Sequence, residues 1–75
     1  MIEKIRAEMT EILKDREGAG RADLLLLINP ANGRDLAKEM GQEAAPDRAA
    51  GIAIQYTHDV EREEFQIIWR EEVNE

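Results

Sequence analysis

The 75-residue chain contains no cysteine, no serine and a single histidine, His58. Disulfides, thiolate metal sites and every Ser or Cys nucleophile are thereby excluded, as is a two-histidine metal site within one chain. The absence of cysteine fits a reducing compartment, and the expected location is the cytoplasm. Long apolar runs are also missing: the longest, Leu24 to Ile28, has five residues, whereas a membrane-crossing helix needs about 20. Charges interrupt the apolar residues of Met1-Ile2-Glu3-Lys4-Ile5-Arg6, so no signal-peptide apolar region is expected. Neither a membrane nor a secretory route is predicted.

Positive charge is scarce. Ten Lys and Arg stand against 17 Asp and Glu, a net charge of −7. Residues 1–35 have a net charge of −1 and residues 36–75 of −6, so the surplus is concentrated in the second half. A phosphate backbone is bound by clustered Lys and Arg. No such cluster occurs, and direct nucleic-acid binding is not expected. With 43% hydrophobic and 36% charged residues, the chain is foldable but unusually charged. At this length one domain is expected, spanning 1–70, with 71–75 as a frayed acidic tail.

Ile2, Ile5, Met9, Ile12 and Leu13 recur at three- and four-residue steps, the spacing of one helix stripe, so residues 2–17 are predicted helical. The stripe also has coiled-coil spacing, but two heptads are too few for a coiled coil and packing on a sheet explains it. Leu24–Ile28 is a continuous apolar run between Gly20 and Pro30, which reads as a strand covered on both faces. Asn29-Pro30 or Asn32 then starts a short helix ending at Met40, with Gly41 as its stop. Pro46–Ala50 is read as a single helical turn. From Ile52 to Thr57, and again from Glu64 to Arg70, apolar residues alternate with others, as in half-buried strands.

The predicted fold is α+β, two-layered, in the order helix–strand–helix–strand–strand. Two helices would cover a three-stranded mixed sheet whose last two strands form a hairpin. If those strands pair with each other, Leu24, Leu25, Leu26, Leu27 and Ile28 form an edge strand. A flat apolar edge invites a second chain; helices split over both faces would also cover it, and of the two a homodimer through these five residues is the expectation.

Candidate chemistry is sparse. Tyr56-Thr57-His58-Asp59 offers a base or a single metal ligand, but a hydrogen-bonded turn explains it. Asp59, Glu61, Glu63 and Glu64 lack the central glycine of a calcium loop and read as solvated charge. Asn29–Arg34 would bring N–H groups and Arg34 to an anion, yet it lacks the Gly-Lys-Ser/Thr ending of a phosphate loop and reads as helix capping. Trp69 is assigned to the core, or to an interface as an anchor. No catalytic residue, metal ligand or cofactor is assigned.

Leu25-Leu26-Leu27-Ile28-Asn29-Pro30, a short helix, and then Gly51-Ile52-Ala53-Ile54 resembles an element of tailed-phage and prophage proteins, in which a hydrophobic strand ends in Asn-Pro and a Gly-led strand returns beside it. The likeness covers residues 24–55. It implies a small accessory protein that works by contact, and it carries no functional residue across.

The functional expectation is a non-enzymatic interaction or structural protein acting as a homodimer. Its acidic surface, chiefly Glu61, Glu63, Glu64, Glu71 and Glu72, would meet a basic protein. The alternative is an inhibitor mimicking nucleic acid, which requires those carboxylates to form one continuous strip. A third reading is a small enzyme whose site is shared across a dimer, using His58 with Asp59 or Arg34.

Overall fold

A strand with no polar position has no side to offer water, and Leu24–Ile28 lies in the middle of the sheet. The computed structural model describes residues 1–72. It contains α1 (Ile2–Lys14), β1 (Leu24–Ile28), α2 (Gly33–Glu39), β2 (Arg48–Ala49), β3 (Ile52–Tyr56) and β4 (Phe65–Trp69), with 3-10 turns at Arg21–Asp23, Pro30–Asn32 and Arg70–Glu72. The α+β class stands, but the mixed sheet has four strands in the order β2-β3-β1-β4.

β1 pairs in parallel with β3, Leu25 opposite Ala53 through Ile28 opposite Tyr56. On its other side it pairs antiparallel with β4, Leu24 opposite Trp69 through Ile28 opposite Phe65. This corrects two expectations. The last two strands do not form a hairpin, and Leu24, Leu25, Leu26, Leu27 and Ile28 are not an edge. Residues 57–64 are long enough to carry the chain across the end of β1, whereas tight hairpins close in about two to five residues. Inserting β1 between its neighbours gives both sides of its backbone a partner.

Pro46–Ala50 is likewise corrected: it makes no helical turn, and Arg48–Ala49 within it form β2. Ala49 pairs with Ile52, and between them Ala50 and Gly51 have φ of 52° and 81°. Two successive positive φ values define the type I′ turn, whose twist matches that of the flanking strands. α1 ends at Lys14, three residues before the predicted boundary. α2 stops where expected: Gly41 has φ 71°, the Gly41 N–H donates to the Lys38 carbonyl at 3.2 Å, and the Gln42 N–H donates to the Ala37 carbonyl at 2.8 Å. These are the paired bonds of a Schellman motif.

Both helices cover one face. Ile5 and Met9 of α1 and Leu36 of α2 join Leu24, Leu26, Ile28, Ala49 and Ile52 in a buried cluster. Ile54, Tyr56, Phe65, Ile67 and Trp69 pack against it from the flanking strands. Among the described residues no helix is long and apolar enough to cross a membrane.

The helices are tied together where they approach each other. The Glu39 carboxylate accepts from the Met1 amino group at 2.8 Å and from the Ile2 N–H at 3.2 Å. The bond from the amino terminus, then that from Ile2, holds the Glu39 carboxyl below its ordinary value. A lowered folded-state pKa means stabilisation that is complete above the ordinary carboxylate range and is lost as pH falls through the lowered value. Thermal melts should therefore show Glu39→Gln below wild type at neutral pH, with the difference shrinking on acidification. A constant difference across pH would contradict this role.

Candidate interaction surface

Side chains of directly opposed strand residues share a face, so register defines the sheet surface away from the helices. One row across it is Arg48, Ala53, Leu25 and Ile68; the next is Gln55, Leu27 and Gln66. Leu25 is 8% exposed, shielded by its row neighbours yet outside the cluster that the helices cover. Ala53, Leu27 and Ile68 are half-buried, and Gln55 and Gln66 are exposed. This leaves an apolar centre with an amide on either side of Leu27. In a chain of charge −7, neither row contains a carboxylate.

The sheet also has two unequal edges. β2 contributes two residues, whereas β4 contributes five, Phe-Gln-Ile-Ile-Trp, and pairs only with β1. Among the described residues the long edge without a partner is therefore β4. Only its alternation was visible in the sequence; its position depends on which strand inserts between which.

The Asn29–Asn32 loop serves the fold. The Asn29 side chain accepts from the Ala31 N–H at 2.9 Å and donates through Nδ2 to the Val60 carbonyl at 2.9 Å. Asn32 Oδ1 accepts from the Glu63 N–H at 2.7 Å. Both asparagines are buried, and both fasten the β3–β4 connection where it passes the end of β1. Glu63, at φ 67°, is held by that bond in a left-handed conformation that disfavours most side chains. The sequence showed the capping residues. It did not show that they also secure a segment about 30 positions away.

Tyr56 and His58 are not brought together. The Tyr56 hydroxyl donates to the Pro46 carbonyl at 2.7 Å beneath α2, and burial, with Asp47 second, raises its pKa. His58 is exposed in a turn closed by the Asp59 N–H donating to Thr57 Oγ1 at 3.2 Å. Arg34 is exposed on α2, a helix of seven residues.

The acidic residues divide into two groups. Glu61, Glu63 and Glu64 are exposed beside the start of β4, and Glu71 follows its end. A five-residue strand separates them by about 17 Å or more, so these four make no continuous strip. The side chain of Glu72, and residues 73–75 of the expected tail, lie outside what the structure describes. Glu71 Oε1 accepts from Arg16 Nη1 at 2.7 Å, and the Arg16 guanidinium lies 4.0 Å from the centre of the Trp69 ring. These side chains border a cleft of about 320 Å³ that also includes Asp23 and Arg70. Trp69 thus packs on the core and is capped by Arg16 from beyond the end of α1.

No family model, curated protein or solved structure matches the chain.

Proposed function

We propose that this is a small, non-catalytic interaction protein of the cytoplasm that works as a homodimer and binds a protein partner across its uncovered sheet face. The observation that carries this reading is the apolar centre of Leu25, Leu27, Ala53 and Ile68, framed by Gln55 and Gln66 and left open by both helices. A flat apolar surface with amides beside it suits contact with another protein. The partner's matching surface is apolar at its centre, and Lys or Arg at its rim would approach Glu61, Glu63 and Glu64, aiding encounter more than affinity.

Capture from a lysate of the source organism tests the face. Wild type, a Leu27→Ala/Gln55→Lys variant and the helix-side variant Lys14→Ala would be compared. A protein retained by wild type and Lys14→Ala should be reduced at least tenfold on the face variant, the effect of about 1.4 kcal/mol. Equal retention by all three would refute the assignment of this face.

A further inference from the structure

We propose that two copies of the chain join through the free edge of β4, antiparallel and centred on Ile67, fusing two four-stranded sheets into one of eight. The proposal rests on the homodimer in the reading above and supplies its interface. Among the described residues nothing pairs with the backbone N–H and C=O groups of β4 on the side away from β1. The opposite edge offers the two residues of β2 and, beyond them, the end of β3, where the Ile54 N–H already donates to the Asp47 carbonyl. Among the described residues β4 is therefore the edge with the length to template another strand.

Its flanking charges specify what that strand is. Glu64 precedes β4 and Arg70 follows it. Among the described residues neither forms an ion pair. A strand with an acid at one end and a base at the other complements itself in the antiparallel direction. A parallel copy would set Glu64 against Glu64 and Arg70 against Arg70.

The register follows from symmetry. A two-fold axis perpendicular to the sheet keeps each face continuous, so opposed residue numbers must add to an even number. Centring on Ile67 is the only such register that pairs all five residues of β4 with all five of the second copy. It places Phe65 opposite Trp69, Gln66 opposite Ile68 and Ile67 opposite itself, with Glu64 beside Arg70 at both ends. Sliding to Gln66 or Ile68 as centre leaves three pairs within the strand and separates the charges. One like-charge approach remains, Glu63 towards Glu71, but Glu71 is already paired with Arg16 at 2.7 Å, and Glu63 has left strand geometry at φ 67°. Joining the edges also makes the two uncovered faces one surface, with Ile68 and Gln66 of both copies meeting at the axis.

Because the chain lacks cysteine, the register can be read by disulfide trapping. Light scattering on wild type at about 100 µM should give twice the 8.5 kDa chain mass. An oxidised equimolar mixture of Gln66→Cys and Ile68→Cys should form a covalent heterodimer, while neither variant links to itself. Arg70→Glu should weaken the dimer roughly tenfold by opposing two Glu64 side chains, and Glu64→Arg/Arg70→Glu should restore it. A monomer would overturn both this interface and the homodimer above. A dimer in which Gln66→Cys or Ile68→Cys links to itself, the mixture fails to link, or the double charge reversal fails to rescue would overturn the interface alone.

Discussion

Replacing Asn29 with alanine is expected to lower the stability of the fold by about 3 kcal/mol, although Asn29 belongs to no strand or helix. The Val60 carbonyl would lose its donor while buried against the end of β1, and the Ala31 N–H would lose its acceptor. A buried polar group left without a partner costs about 1–3 kcal/mol. For a chain of this size, each kcal/mol corresponds to about 4–8 °C in melting temperature, so a fall on the order of 15 °C should appear in a thermal melt followed by circular dichroism. Asn29→Asp distinguishes the two bonds. Its carboxylate keeps the acceptor for Ala31 but faces the Val60 carbonyl without a proton to donate. The substituted carboxyl should have a raised folded-state pKa, so the loss persists at neutral pH and lessens on acidification. A loss of only a few degrees in both variants would show that the β3–β4 connection does not depend on this clamp.

Leu26→Ala and Leu27→Ala should differ sharply although the residues are adjacent and identical. Leu26 is fully buried beneath the helices, and its truncation should cost about 3 kcal/mol or more through lost burial and the cavity left behind. Leu27 is half-buried on the open face, where the surface can close around the gap and the cost should be about 1 kcal/mol. A domain of this length has roughly 4–11 kcal/mol to lose, so Leu26→Ala removes a large share of it. Urea denaturation of the pair measures the contrast, and equal midpoints would contradict the one-sided placement of the helices. The Leu27 variant bears mainly on partner capture, because it removes apolar surface from the face proposed to bind.

Most of the local structure was legible from residue pattern. The stripe Ile2, Ile5, Met9 gave α1, Gly41 marked the end of α2, and the runs at Leu24–Ile28, Ile52–Tyr56 and Phe65–Trp69 became strands at those positions. These features depend on neighbours a few positions away. The Arg48–Ala49 strand was missed because its signal is a turn, Ala50-Gly51, in which only one residue is a glycine. The position of β1 escapes residue pattern for a different reason. Alternation in β3 and β4 showed that each was half-buried, and a hairpin is the shortest connection between them. The eight residues from Thr57 to Glu64 permit a hairpin and a crossing alike.

The candidate surface was readable only in fragments. Ala53, Gln55, Gln66 and Ile68 could be placed on the second face of their strands, and β1 was seen to lack a polar face. Their union into one open surface required register across three strands. Apolar content alone points to Leu24–Ile28 as the self-association edge, yet a strand of that kind gains most from pairing on both sides.

Residue pattern alone is enough for both helices and the three longer strands, for the apolar stripe of α1, for the composition that excludes thiol and serine chemistry, and for the concentration of negative charge in the second half. Periodicity and composition are properties of short segments, so they survive without knowledge of what lies across the sheet. That β1 separates β3 from β4, that Asn29 and Asn32 fasten the loop crossing its end, and which edge and face remain open emerge only once the strands have paired. Strand order is settled by the joint burial of many side chains and by backbone pairing across distant segments, and no local pattern of residues contains it.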